Sequence, residues 1–172
     1  SANSIATATF DFIGKKAITT TAAITGTYTA ATSTQVFNGI DSVAQFSEGN
    51  VITPVTDFSF ALKNNLRARL QIGTLGAISV GTGSCAVSGT FQAYYNNTAT
   101  SSGVFDKYLN GTYSSMLIVF VDSVGTGYYY EFPRVRYSSG KRVAGAQNQD
   151  ILVDLAFNAM YDSASGYTAA IG

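Results

Sequence analysis

The chain has 172 residues, of which 46% are apolar and only 12% charged, enough for one well-buried domain because a chain of this size hides about 70% of its unfolded surface on folding. It contains no His and a single Cys, which excludes Ser-His-Asp and Cys-His nucleophile sites, a His general base, a zinc site built on Cys and His, and an internal disulfide; Cys85 is expected to be a small core residue. Ten Lys and Arg balance ten Asp and Glu, and 11 Phe and 11 Tyr accompany them, so the basic excess that grips phosphates is missing and little repulsion opposes packing against further copies.

The opening Ser1-Ala2-Asn3-Ser4 has no basic segment leading into an apolar stretch, so no signal peptide is read, and the missing start Met points to processing or an excised fragment. Ile5 to Ile13 alternates and is β-branched, which predicts a strand ending in a turn at Gly14-Lys15-Lys16. Ala17 to Thr34, rich in Thr and Ala without periodicity, is placed on the surface as a loop. Val36 to Phe46 predicts a short strand, with a turn at Glu48-Gly49-Asn50 and a second extended segment from Val51. Alternation over Thr56 to Leu62 and again over Leu66 to Ile72, broken at Asn64-Asn65, predicts a strand pair or one long bent strand with Arg67 and Arg69 on the same face.

Ser84 to Tyr95 is the clearest strand, preceded by a turn at Gly81-Thr82-Gly83. One helix of about two to three turns follows, capped by Ser101 or Ser102, ended by Asn110-Gly111, with Val104, Tyr108 and Leu109 on its buried face. Ser115 to Asp122, a turn at Gly125-Thr126-Gly127 and Tyr128 to Arg136 form a hairpin, and Pro133 puts the second strand at an edge or near a bulge. Gln149 to Tyr161 is apolar on both faces, the mark of a sandwich interior or an interface. The fold class is therefore mainly β, a β-sandwich or barrel with one short α-helix, in a single domain over residues 1–172. The longest apolar run, Met116 to Val121, is far short of the ~20 residues of a membrane-spanning helix.

No catalytic, cofactor-binding or metal-ligating residue is predicted. Gly73-Thr74-Leu75-Gly76 and Gly81-Thr82-Gly83 lack the GxGxxG and Lys-Ser/Thr patterns of phosphate loops and read as turns. The carboxylates show no spacing for a glycosidase pair or an oxygen-only metal site; Asp150 and Asp154 are predicted on one strand. Asn96-Asn97-Thr98 and Asn110-Gly111-Thr112 match the glycosylation pattern but carry no weight without a secretory context. Tyr128-Tyr129-Tyr130, beside Phe132, Arg134 and Arg136, could be a stacking platform, yet alternate strand residues face opposite ways, which favours core on one side and interface on the other.

The order of short motifs along the chain, Asn64-Asn65-Leu66-Arg67, Ile72-Gly73, Val87-Ser88-Gly89-Thr90-Phe91, Asp106-Lys107-Tyr108, Phe132-Pro133-Arg134-Val135 and Gly145-Ala146-Gln147-Asn148-Gln149-Asp150, resembles the tail tube (major tail) proteins of long-tailed bacteriophages. The opening Phe10-Asp11-Phe12-Ile13-Gly14-Lys15-Lys16 and the closing Phe157-Asn158-Ala159 are similar too, so the resemblance covers nearly the whole chain. It implies a structural virion protein, assembled in the host cytoplasm, whose inner sheets join around a ring and whose rings stack into a hollow tube that conducts DNA. It further implies further copies of itself, a tape measure and a tail terminator as partners, with DNA only in passage, no cofactor, and a subunit that is the C-terminal part of a longer protein. Strands Ser84 to Tyr95 and Gln149 to Tyr161 are expected in the inner sheet and Ala17 to Thr34 between rings. A non-catalytic binding module using Tyr128 to Tyr130, or another virion or cell-surface protein, is the alternative reading; an enzyme comes third, since nothing suggests a deep pocket with convergent carboxylates.

Overall fold

Period-two alternation of apolar and polar residues runs through most of the chain, and in the structure, a computed structural model, these segments pair almost wholly antiparallel. The structure describes residues 5–21, 26, 29–31, 33, 36–95, 101–122 and 124–172. The strands are β1 (Val43–Glu48), β2 (Val51–Ile52), β3 (Val55–Lys63), β4 (Arg67–Leu70), β5 (Ala77–Gly81), β6 (Ala86–Tyr94), β7 (Ser114–Val121), β8 (Gly127–Val143), β9 (Leu152–Ala159) and β10 (Ala170–Ile171), with helix α1 (Ser101–Asn110) between β6 and β7. The main sheet has the order β2-β1-β7-β8-β9-β6-β3, with β10 added to β8, while β4 and β5 pair only with each other.

Strand β8 explains how one sheet becomes two layers. Its first half pairs with β7, from Gly127 opposite Val121 to Val135 opposite Ser114, and its second half pairs with β9, from Val135 opposite Ala159 to Val143 opposite Leu152. Register shifts fall at Pro133-Arg134 and at Ser138, where extra residues bend a strand and raise its twist. Proline, which has no N–H for the ladder, sits at the bulge the sequence predicts, but in a central strand rather than an edge. The sheet thus folds over, and β3 comes to face β1, β7 and the start of β8: ring centroids lie 5.5 Å apart for Phe46 and Phe58, 5.1 Å for Phe60 and Tyr130, and 5.3 Å for Phe60 and Phe132. It does not close into a barrel.

Between the layers lie Phe46, Val87, Phe91, Met116, Ile118, Phe132, Val135, Val153, Leu155 and Phe157, the inward members of their strands. Helix α1 fills one end, with Val104 and Phe105 buried and Tyr108 against Gly140 and Leu155 of the sheet. Leu109, expected on that face, is exposed and Phe105 takes its place; at 3.6 residues per turn Leu109 lies about 90° from the centre of the buried arc. Gly111 ends the helix at φ 63°, with Thr112 donating its N–H to the Lys107 carbonyl.

Three expectations are corrected. Residues 5–13 form no strand: they are exposed and, among the described residues, pair only through a bridge between Ile5 and Asn38 and the Ala6 N–H donated to the Phe37 carbonyl, so alternation alone does not make a ladder. Leu66 to Ile72 neither extends β3 nor pairs with it; Asn65 at φ 46° turns the chain out and Arg67–Leu70 pairs with Ala77–Gly81, a strand the sequence reading missed. Cys85 is exposed, because it precedes β6 by one residue and faces no opposing layer. A thiol reagent should therefore label this one cysteine in the native protein; reaction only after denaturation would contradict the placement.

Candidate assembly surfaces

The half of the fold made of β3, β6, β9 and the second half of β8 turns one face to the core, and among the described residues no strand or helix packs on the other. The middle of the open face is short and mostly polar, with Ser59, Ser88, Thr90, Ser139, Ala156 and Asn158 side by side across strands, while Tyr94, Leu152 and Val143 form an apolar row at one end of it. Ser59 and Thr90 hydroxyls are 2.9 Å apart, Gln92 Nε2 donates to Asp154 Oδ1 at 2.6 Å, and Thr56 Oγ1 donates to Gln92 Oε1 at 2.7 Å. Asp57, Gln92, Asp154 and Lys141 form one row across the four strands, and Lys141 Nζ lies 3.9 Å from Asp154 Oδ2. By alternation the face carries Lys63, Arg136 and Lys141 against Asp57 and Asp154, a near balance.

This four-stranded unit also ends in two open edges. Among the described residues, no strand pairs with the outer side of β3, nor with Tyr137–Val143 of β8 on the side away from β9. A strand edge with unpaired N–H and C=O groups is a template for another chain. Because the strands alternate in direction, β3 of one copy is antiparallel to the second half of β8 of a copy placed beside it.

The hairpin β4–β5 is a separate projection. Leu70, Ile72 and Leu75 at its tip are 77%, 102% and 88% exposed, and Ala77 N–H donates to the carbonyl of Lys15 at 3.0 Å, which ties the arm around Phe10, Phe12 and Ile18, also exposed, to the hairpin. Gly73 (φ 86°) and Gly76 (φ 92°) make the bend, as read, whereas Gly81, also read as a turn residue, is the buried last residue of β5 opposite Arg67. The signal for this hairpin was present in two short apolar runs flanking Gly73-Thr74-Leu75-Gly76. The described part of Ala17 to Thr34 is exposed and without regular structure, as expected; the rest of that segment lies outside the described residues, as does Asn96-Asn97-Thr98.

Glu48, predicted in a turn, is instead the last residue of β1 and is 2% exposed. The turn follows it: Gly49 and Asn50, at φ 58° and 64°, form the two-residue bend that positive φ at both positions allows. The Glu48 carboxylate takes three donors, two contacts from Lys107 Nζ at 2.9 and 2.8 Å and the Tyr137 hydroxyl at 2.7 Å, while Lys107 also reaches Ser114 Oγ at 3.0 Å. Helix, both layers and the crossing strand meet at this point. Burial, then the Glu48 charge, pushes the Tyr137 hydroxyl far above its ordinary pKa, so it stays a neutral donor.

The tyrosine triplet makes no stacking platform. Tyr130 turns into the core against Phe60 and Phe120, and Tyr128 packs edge-on against Phe37 with centroids 5.9 Å apart. Arg134 lies on Tyr113, 4.2 Å from the ring centre, instead of beside the triplet. Asp150 precedes β9 and does not share it with Asp154.

A family model for phage tail tube proteins matches residues 1–159. The chain belongs to that family. It is a structural tube subunit and a virion component, and its mainly antiparallel β fold with one helix is the family's. Among solved structures it resembles the anti-feeding prophage tube-terminating cap (TM-score 0.58, 10% identity, 84% of this chain and 95% of that one). It also resembles the sheath/tube terminator of the extracellular contractile injection system PVC (0.59, 10%, 82% and 99%) and the SPP1 tail tube (0.51, 12%, 68% and 72%). At such identities the likeness is one of fold. No curated protein sequence matches the chain.

Proposed function

We propose that copies of this tail tube subunit close into a ring by joining the open edge of β3 to the open edge of the second half of β8, with the open face of the four strands lining the channel. The observation that carries this reading is the coincidence, on one four-stranded unit, of two edges of compatible direction that are unpaired among the described residues and an open face whose charges nearly balance. Strands Ser84 to Tyr95 and Gln149 to Tyr161 then lie in the middle of each copy's share of the wall. A face of near-balanced charge neither grips nor strongly repels phosphates, which suits DNA in passage. No step of this function needs catalysis or a cofactor.

The ring size follows from strand geometry. Four strands at ~4.8 Å spacing and ~40° tilt give about 25 Å of wall per copy. Three copies would leave about 14 Å between opposing side chains, too narrow for a duplex, and about six would leave roughly 38 Å. Three copies of this chain alone are therefore excluded, and of the two ring sizes compared six is the one that passes a duplex. Negative-stain electron microscopy with light scattering at rising concentration tests this: rings with a central hole and a mass near six chains are expected, and a monomer at all concentrations overturns the reading.

Stacking of rings falls to the projection made of β4–β5 and the arm around Phe10 to Ile18, and to the loop Ala17 to Thr34, with the tape measure and tail terminator as further tail partners. Ile72→Asp combined with Leu75→Asp should leave the stability of the chain within ~0.5 kcal/mol of the original, since both side chains are free of neighbours. The same variant should form rings but no tubes by microscopy. Normal tubes would remove the hairpin from the stacking contact.

A further inference from the structure

Residues 160–172 lie beyond the part of the chain that matches the family, and all their strand contacts are with one side of one strand. Where β9 ends at Ala159, Met160 continues along β8 and donates its N–H to the Arg134 carbonyl at 2.8 Å. The chain then leaves in a turn held by Asp162, whose carboxylate accepts the N–H of Ser165 at 2.8 Å and its hydroxyl at 2.9 Å. It returns as β10, with Ala170 opposite Glu131 and Ile171 opposite Tyr130, and Gly172 and Tyr129 exchange two backbone hydrogen bonds of 3.2 and 2.8 Å. Tyr167 adds a hydroxyl bond to Glu131 Oε2 at 3.0 Å, and Ala169 packs on the core. One side of β8 is thus occupied from Tyr129 to Arg134, the stretch where β7 already holds the other side.

Without these residues the exposed edge would be Tyr129-Tyr130-Glu131-Phe132, three aromatics and one charge in a sequence of high β propensity. Such an edge pairs readily with identical edges, and natural sheets cover or blunt it. β10 is only two residues long, so it covers the edge without offering a long new one. We propose that residues 160–172 are a strand-edge shield that prevents the first half of β8 from pairing with a second copy, so that pairing between copies is confined to β3 and the second half of β8. The inference rests on the ring reading above for what the shield protects, but not for what it covers.

The test compares the purified chain with two variants, Ala170→Pro, which removes the β10 N–H opposite Glu131, and a chain ended after Ala159. Microscopy reports rings, an amyloid-type dye reports edge-to-edge sheet, and circular dichroism with melting reports folding. The expected result is a cooperatively melting Ala170→Pro chain with a several-fold rise in dye signal and irregular aggregates at concentrations where the original is dye-negative. The truncated chain should show the same effect more strongly; if it fails to fold, Ala170→Pro decides. Unchanged assembly and unchanged dye signal in a folded Ala170→Pro overturn the shield. Absence of rings from the original chain would overturn the ring reading alone, since a rise in dye binding over the original would still uphold the shield.

Discussion

Lys107→Met should lower the stability of the isolated chain by about 3 kcal/mol, because removing one partner of a buried ion pair strands the other charge. Glu48 cannot escape to water: its side chain is 3% exposed, and without Lys107 it keeps only the Tyr137 hydroxyl. At 2–4 °C per kcal/mol for a chain of this size, the melting midpoint should fall by roughly 6–12 °C. Replacing both partners, Glu48→Leu with Lys107→Met, should recover most of the loss, since a well-packed apolar pair costs no desolvation. A double-mutant cycle by thermal unfolding checks both, and a loss under ~1 kcal/mol for Lys107→Met would show that the pair is not needed. The neighbouring Tyr137 adds a pH dependence of known sign. Its folded pKa is raised above the ordinary 10.0, so its contribution is fully present below pH 10 and is lost as pH rises beyond it, when the unfolded chain releases the proton that the folded chain retains.

Gly89→Val should be the most disruptive single change in β6. A Cβ there would run into the Ser59 backbone oxygen and sit 2.6 Å from Cζ of Phe157. Phe157 could in principle turn aside, but the oxygen belongs to the paired strand β3 and cannot rotate away. A loss of about 3 kcal/mol, at the top of the usual range for overpacking, is expected in denaturant unfolding. Phe157→Ala costs about 3–5 kcal/mol by the opposite route, a cavity in a ring cluster. Combining Gly89→Val with Phe157→Leu should restore only part of the loss, because the backbone clash persists. Stability within ~0.5 kcal/mol of the original would show that β3 has room to shift.

Glycine 89 also shows why the alternation in this segment was legible as a strand but not as a fit. Val87, Phe91 and Ala93 announce a buried face, and the gap at Gly89 has no meaning until Phe157, 68 positions later, is seen to fill it. Local patterns placed β6, β7, β9, the helix and the bend at Pro133, and the family resemblance placed the chain among tube subunits. What depended on partners far along the sequence was out of reach. Ile5 to Ile13 alternates as well as β6 does, yet among the described residues only its first two residues find a neighbour, at Phe37 and Asn38. Arg67 to Leu70 continues the rhythm of β3, yet a single left-handed Asn65 sends it to another partner. Glu48 beside Gly49-Asn50 looks like any turn carboxylate until Lys107 and Tyr137 converge on it. Of the assembly surfaces, strand composition hinted at the wall, but the open edges exist only in the pairing order.

Because β8 runs unbroken from the first layer into the second, the two layers are joined by covalent backbone as well as by side-chain packing. A pull on the four-stranded unit is delivered along that strand to the other layer, and the unit cannot peel away while β8 stays paired on both halves. Peeling would require unzipping its bonds to β7 or to β9 one residue at a time. The two layers of a subunit therefore take up a load together, through one continuous backbone.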